Sequence, residues 1–261
     1  MATHGVNSAM PAIDATAPRR LQWQVARVRA VIDETPRVRS LILDVPDWTG
    51  HRPGQHADIR LTGEDGYQAQ RSYSIASAPE APDFAVTIER LDDGEVSPYL
   101  ASTVAVGDKF EIRGPIGGYF VWTAPLCGPL FLVAGGSGIA PLMAMLRHRA
   151  LAGSTTPTLL LHSSRTFEDI IFRKELDRLA AKEDGLTVYH TLTRRQPVAW
   201  SGGARRIDRD MLADIGIPPS MQPRIYICGP TPLVESAARI LSELGHAPGL
   251  IKTERFGPTG G

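Results

Sequence analysis

Along the first half of the chain, apolar residues recur at every second position or gather in short β-branched runs. "LQWQVARVRAVI" (residues 21–32), "VRSLILDV" (38–45), "HADIRLT" (56–62), "AVTIER" (85–90) and "KFEIRG" (109–114) are such runs, separated by turns rich in Gly, Pro and Asp. A period of two punctuated in this way predicts an antiparallel sheet or barrel. After residue 128 the pattern changes. "LFLVA" passes through glycines into "APLMAMLRHRAL", "TLLLH" precedes "FRKELDRLAAK", and "LTVYHTLT" precedes "DRDMLADI". "RIYIC" then precedes "LVESAARILSEL", and "GLIKT" comes last. Five buried strands with helical crossovers predict a doubly wound, Rossmann-like parallel sheet. The expected fold class is therefore β plus α/β. It comprises a mobile tail over residues 1–19, a β-barrel domain over 20–125 and an α/β domain over 126–261, with the boundary near "TAPLCGP" (123–129).

Composition narrows the function classes. The 28 basic and 28 acidic residues among 261 cancel, so no global field favours nucleic acid or an anionic membrane. Two cysteines, Cys127 and Cys228, exclude a disulfide scaffold and a four-thiolate iron–sulfur or zinc site within this chain. The opening residues lack the apolar core of a signal peptide, which predicts a cytoplasmic protein. Residues 114–146 carry no charge, a length that could cross a bilayer, but "GPIGG", "CGP", "GGSG" and Pro141 interrupt any helix there. A buried strand, a glycine turn and a helix are expected instead, in a chain without membrane or nucleic-acid partners.

Two turns carry candidate chemistry. In "VAGGSGIAP" (133–141), glycines after an apolar strand let backbone N–H groups approach a phosphate at the next helix. Pro141 suits an early helical position. No Gly-Lys-Ser/Thr follows, and Ile139 replaces the last glycine of a nucleophile elbow. In "YICGPTPLVESAARIL", Cys228, Gly229 and Pro230 end a strand and Pro232 opens a helix, so the two turns can face one ligand. Cys228 reads equally as a small buried hydrophobe, with no sequence-local base for covalent catalysis. "RSYSIAS" (71–77) sets a cation, a flat ring and hydroxyls at a strand end. That suits a solvated strand face, or a ligand with a ring, a polyol and a phosphate.

In order, "RPGQH", "RSYSIAS", "GEVSPYL", "GPIGGYF", "VAGGSGIAP", "TLTRRQ", "YICGPTP" and "ERFG" resemble the ferredoxin–NADP reductase family. More narrowly they resemble the FAD- and NAD(P)H-binding reductase module of oxygenase electron-transfer systems, without an iron–sulfur domain. The match spans residues 20–256. The resemblance implies that Arg71 pairs with flavin phosphate, as a guanidinium fork matches its oxygens. It implies that Tyr73 stacks on the flavin ring, that Ser74 serves flavin N5, and that Ser72 belongs to the same site. Ser77 is expected to support the strand. The backbone of Thr87, Ile88, Glu89 and Arg90 is expected at the flavin's polar edge. Val96, Ser97 and the loop 114–120 with Gly117 and Gly118 are expected at its pyrophosphate. Tyr119, Phe120 or Trp122 is expected to stack the adenine or to pack in the core.

In the second domain the resemblance implies that Gly136, Ser137, Gly138 and Pro141 hold the nicotinamide dinucleotide's pyrophosphate. Cys228, Gly229 and Pro230 are implied beside the nicotinamide, with Glu254 as a nearby acid. Phe256 is implied as a ring covering the flavin, although "GPTGG" follows it. Ser164, Arg165, Thr193 and Arg194 are implied as a clamp for the 2′-phosphate of NADPH, with NADH as the alternative. Arg195, Arg205 and Arg206 can add charge there, dock an acidic partner or be solvated. Glu168 and Asp169 lie close in sequence and weigh against NADPH. The histidines lack metal-ligand spacing, so no metal site is expected. The implied activity is hydride transfer from NADPH to FAD, then single electrons to a ferredoxin, an oxygenase or a haem protein, by a monomeric enzyme. A flavin reductase, a ferric-chelate reductase and a flavin-bearing regulatory subunit remain open alternatives.

Overall fold

The structure is a computed structural model, and it describes residues 21–257. The tail expected over residues 1–19 and the last four residues of the second segment lie outside the described residues. The first sheet contains β1 (Gln24–Thr35), β2 (Val38–Asp44), β3 (His56–Thr62), β4 (Gln68–Ser74), β5 (Phe84–Glu89) and β6 (Lys109–Ile116). Their order is β4-β3-β6-β1-β2-β5, and every neighbouring pair is antiparallel. Beyond β4 the chain turns onto β5. Ile75 bridges Val86, and the Ala76 N–H donates to the Ala85 carbonyl at 2.8 Å, which joins the two edges into a barrel. The interior is filled by residues two apart on each strand: Ala26 and Val28, Leu41 and Leu43, Ala57 and Ile59, Val86 and Ile88, Phe110 and Ile112. This is the period of two read from the sequence, now facing one core.

The second sheet contains β7 (Leu130–Gly135), β8 (Thr158–Ser164), β9 (Leu186–Leu192), β10 (Arg224–Pro230) and β11 (Ile251–Phe256). They run parallel in the order β11-β10-β7-β8-β9. Helices α2 (Ile139–Leu151), α3 (Arg173–Ala180), α4 (Arg209–Ile215) and α5 (Thr231–Glu243) make the crossovers, after a short α1 (Ser97–Ser102) in the first half. Only β7, β8 and β10 are buried nearly throughout. The edge strands β9 and β11 are half-exposed, because each has a neighbour on one side alone. For the same reason β11 continues past its apolar run through Glu254 and Arg255. Strand order reverses between β7 and β10, so the crevice at their carboxyl ends is the expected ligand position.

The uncharged stretch over residues 114–146 ends β6, forms a loop and β7, and enters α2. No helix among the described residues is long and apolar enough to cross a membrane. A polar seam joins the sheets. The Tyr226 hydroxyl donates to the Val121 carbonyl at 2.7 Å, and Arg147 on α2 donates to the Ala76 carbonyl at 2.8 Å. The same guanidinium pairs with Glu175 through two bonds of 2.8 and 2.7 Å. Phe120 and Trp122 lie inside this seam, 6% and 0% exposed, with Phe120 edge-on to Tyr226. Their ring faces belong to the core, which corrects the expectation that either could stack an adenine.

Candidate functional site

Two grooves, one on the barrel and one at the carboxyl ends of the parallel strands, share a wall. The barrel-side groove holds about 260 Å³ and is lined by Arg71, Ser72, Tyr73, Ser74, Thr87, Glu89, Val96 and Ser97, with Ser137 and Phe256 across from them. Alternation on β4 sends Arg71 and Tyr73 one way and Ser72 and Ser74 the other. Tyr73 packs against the barrel core while lining the groove, and burial pushes its hydroxyl pKa up. The Ser72 hydroxyl donates to its cross-strand neighbour Asp58 at 2.6 Å. Arg71 donates to Glu95 at 2.8 Å, and Glu95 also accepts from Tyr67 at 2.9 Å. Ser77 accepts from the Ala85 N–H at 3.0 Å, a strand-supporting bond as expected. Ile88 is fully buried, which leaves its backbone alone to meet a ligand, and Arg90 turns to Asp92 at 3.1 Å.

The second groove, about 600 Å³, lies over the parallel sheet. Gly136, Ser164, Arg165, Thr193, Arg194 and Pro230 line it, and Glu89 and Phe256 reappear as the wall shared with the first groove. Its floor depends on one glycine. A Cβ on Gly138 would stand 2.2 Å from the Cys228 carbonyl oxygen, so only a residue without one lets the two turns pack. Gly136 has φ +52°, and His162 reaches its carbonyl at 3.3 Å. Burial drives the His162 pKa down to about 3, so the ring is neutral. Ser137 donates to Glu89 at 2.6 Å, linking the glycine turn to the barrel. Pro141 is buried within the first turn of α2 and lines neither groove.

The loops after β8 and β9 are tied together. The Ser164 carbonyl accepts from the Thr193 N–H at 3.0 Å, and the Arg165 carbonyl from the Arg194 N–H at 2.9 Å. Arg165, Arg194 and Arg206 therefore face one groove, and none has a carboxylate partner among the described residues. Arg195 and Arg205 do: they pair with Glu168 at 3.4 Å and Asp208 at 2.7 Å. Asp169 is occupied by Thr166. The two acids that weighed against a phosphate site are thus turned to other partners.

Behind Gly138, Cys228 on β10 is in register with Glu254 on β11, and neither side chain lines a groove. Burial raises the Cys228 thiol well above its usual range, which makes it a poor nucleophile. Burial also raises the Glu254 carboxyl to about 7, and its Oε2 has no partner. His56 Nδ1 of the barrel lies 4.0 Å from Glu254 Oε1, and His56 is in register with Ser74. Ser74, His56, Glu254 and Cys228 thus form a row across both sheets. Gly117 and Gly118 stand on the far side of His56 beside Arg52, away from the Arg71–Ser97 groove.

Comparisons with known proteins agree with this geometry. Residues 26–121 match the family described as "Oxidoreductase FAD-binding domain", and residues 132–239 match "Oxidoreductase NAD-binding domain". The chain is 32% identical over 240 residues to the glycine betaine monooxygenase reductase subunit of Pseudomonas aeruginosa, covering 90% of this chain and 64% of that protein. It thus spans less than two thirds of that relative's length. The FAD/NAD-binding domain of nitric oxide dioxygenase from Vibrio cholerae superposes with a TM-score of 0.80 at 26% identity, over 90% of this chain and 99% of that one. NADH-cytochrome b5 reductase 1 of Emericella nidulans is 33% identical over 238 residues, covering 88% of this chain and 76% of that protein. The chain belongs to the oxidoreductases that join an FAD-binding domain to an NAD-binding domain. That is broader than ferredoxin–NADP reductase itself.

Sequence reasoning missed three contributors to the site of this reductase. His56 closes "RPGQH" with no role of its own implied, although the β3–β4 register sets it opposite Ser74. Glu95 lies in "GEVSPYL" with no role of its own implied, yet it holds Arg71. Arg206 was not separated from Arg205, and only Asp208 three residues beyond Arg205 hints at which is paired.

Proposed function

We propose that this reductase oxidises NADPH in preference to NADH at the groove over the parallel sheet, with FAD held in the barrel-side groove, and passes single electrons to a separate protein. The observation that carries the reading is the wall of Glu89 and Phe256 common to both grooves, which brings the two grooves edge to edge. The donor set fits FAD. Tyr73 offers a ring face, Ser74, Thr87 and Ser97 offer hydroxyls, and Arg71 offers a guanidinium for phosphate, with Val96 and the backbone of residues 87–90 alongside. A further cavity reached past Glu95 presents Tyr67 and Tyr99, exposed rings suited to an adenine. Bound there, FAD supplies the chemistry that takes up a hydride and releases electrons singly.

The chain's own residues bind, orient and exclude water. Gly136, Ser137 and Gly138 form a close backbone approach for a pyrophosphate, backed by Gly229 and Pro230. Cys228 packs the floor as a neutral thiol, and Phe256 is a ring at the seam that an incoming nicotinamide would displace. Ser74 and Glu254, with its partnerless oxygen, hold protons at the reacting edge. Arg165 and Arg194, with Thr193 and Ser164, are suited to a 2′-phosphate, and Arg206 adds a third cation. The names of the relatives, a monooxygenase reductase subunit and cytochrome b5 reductases, support a protein acceptor.

Catalytic efficiencies of wild type, Arg165→Ala and Arg194→Ala with both nucleotides test the reading. Each lost charged contact should lower NADPH efficiency roughly ten- to a hundredfold, from about 1.5–3 kcal/mol, while NADH efficiency stays put. A wild type that prefers NADH, or equal losses with both nucleotides, would overturn the NADPH assignment.

A further inference from the structure

We propose that Glu34, Ser40 and Thr87 form a hydrogen-bonded relay through which Glu34 takes up a proton when the flavin receives a hydride and returns it as the electrons leave. Glu34 is a positioning residue in this scheme, acting on the groove through two hydroxyls. The proposal rests on the reading of the barrel-side groove as the FAD site.

The relay follows from the barrel's own register. β1 and β2 pair Asp33 with Arg39 and Thr35 with Val38, so Glu34 is the extra residue of a bulge. A bulge re-aims a side chain, and here the Glu34 carboxylate accepts from the Ser40 hydroxyl at 2.7 Å. Ser40 is in turn the cross-strand partner of Thr87 on β5, and their hydroxyl oxygens lie 2.9 Å apart. Both are buried, at 3% and 5% exposure, so protein rather than bulk water surrounds the middle of the relay. Thr87 lines the barrel-side groove, and Glu89, two residues further along the same face of β5, lines both grooves. One end of the relay thus meets the flavin site, and the other is a carboxylate at the seam between the sheets.

Each hydroxyl has one proton, so the relay has a direction. With Glu34 ionised, Ser40 donates to it, Thr87 donates to Ser40, and Thr87 offers the groove lone pairs alone. With Glu34 protonated, Glu34 donates to Ser40, Ser40 donates to Thr87, and the Thr87 proton is free for the groove. A ring that has gained electrons is better served by a donor, and therefore favours the protonated carboxyl. NADPH delivers two electrons and one proton to the flavin, and Glu34 binds one further proton from solvent. That further proton goes back to solvent once the electrons have left, and Glu34 itself is neither oxidised nor reduced.

The surroundings of Glu34 suit this exchange. It is half-buried, and no cation lies within 4.0 Å of it among the described residues. Facing it across the seam are Arg147 of α2, Glu175 of α3 and the Phe172 N–H just before α3. Arg147 is already engaged by both Glu175 oxygens and by the Ala76 carbonyl. On its own strand, Asp33 is paired with Arg39 at 2.7 Å. Burial raises the Glu34 carboxyl above its usual range, against the smaller lowering by Ser40 and Arg147.

The test is the midpoint potential of FAD bound to the full chain, poised with mediator dyes and a chemical reductant from about pH 5 to about pH 8. Neither NADPH nor an acceptor enters the measurement. In wild type the potential should fall more steeply with pH than in Glu34→Gln. The limit is one extra proton per two electrons, about 30 mV for each tenfold change in proton activity. Thr87→Val and Ser40→Ala should match Glu34→Gln, because each cuts the relay and leaves the carboxylate in place. Thr87→Ser, which keeps the hydroxyl, and Asp33→Asn, an exposed carboxylate one residue away, should keep the wild-type slope. Reduced-minus-oxidised infrared spectra should show a protonated-carboxyl band that Glu34→Gln lacks. Equal slopes in wild type and Glu34→Gln, or no such band, would overturn the proposal. A wild-type slope in Thr87→Val or Ser40→Ala would also overturn it, by reducing Glu34 to a charge acting through space. Absence of FAD from the wild-type protein would sink the reading of the groove instead.

Discussion

The two grooves handle their positive charge in opposite ways. On the barrel side, Arg71 is already held by Glu95 at 2.8 Å, so a phosphate arriving there shares the cation with an existing partner. Over the parallel sheet, Arg165, Arg194 and Arg206 line a groove without a carboxylate partner among the described residues, and a phosphate meets free donors. The first groove is compensated and shaped by a ring and hydroxyls. The second is uncompensated and shaped by glycine. Salt should therefore weaken nucleotide binding more steeply than flavin binding, since exposed, unpaired charges are the ones most easily screened.

The largest expected effect breaks one groove and spares the other. In Gly138→Ala the added Cβ would meet the Cys228 carbonyl at 2.2 Å, and both turns are backbone that cannot step aside cheaply. NADP⁺ affinity measured by calorimetry should fall roughly 5- to 150-fold, from about 1–3 kcal/mol of overpacking. Flavin should still co-elute with the protein on gel filtration. Loss of flavin with the nucleotide would mean that the grooves do not behave separately.

A pH experiment sharpens the comparison at the seam. Burial raises the Glu254 carboxyl from 4.5 to about 7, so the folded chain keeps a proton that the unfolded chain has released. Stability should fall as pH rises from about 4.5 to about 7 and then level off, because the unfolded state binds fewer protons over that window. Glu254→Gln should match wild type near pH 4 and exceed it by about 1–3 kcal/mol near pH 8 in denaturant titrations of the flavin-free chain. A constant difference at all pH values would show that Glu254 titrates normally.

The smallest effect concerns the compensated cation. The Arg71–Glu95 pair is about half-exposed on both sides, 54% and 50%, which limits it to about 0.2–1 kcal/mol. Glu95→Gln should therefore tighten flavin binding at most about fivefold in an equilibrium titration. Weaker binding would make Glu95 part of the flavin site rather than a competitor for it.

Both sheets were legible in the chain because period two and strand–helix alternation are local signals. "HADIRLT" became β3 residue for residue, and the interior pairs Ala57 with Ile59 and Phe110 with Ile112 follow its alternation. The glycine turn was legible too, since its neighbours in sequence are its neighbours in space. What escaped was whatever depends on how two distant segments meet. Trp122 looks like an available ring until Tyr226 and α2 close over the seam. His56 and Glu254 are almost two hundred residues apart and belong to different sheets, so no spacing announces their 4.0 Å approach. Arg205 and Arg206 are adjacent and chemically identical, and only the loop's path decides which one Asp208 takes.

The bond from Ser137 to Glu89 has a consequence beyond geometry. A hydroxyl has one proton to donate, and here it goes across the seam at 2.6 Å to a carboxylate that lines both grooves. A nucleotide phosphate seated on the glycine turn asks for the same proton, so occupancy of one groove and the position of Glu89 are not independent variables. Thermodynamic reciprocity then applies. Whatever factor bound flavin contributes to nucleotide affinity by drawing Glu89 aside, bound nucleotide must return to flavin affinity in equal measure. Four dissociation constants, each ligand with the other site empty and filled, close that square, and Ser137→Ala should shrink the coupling without abolishing either site.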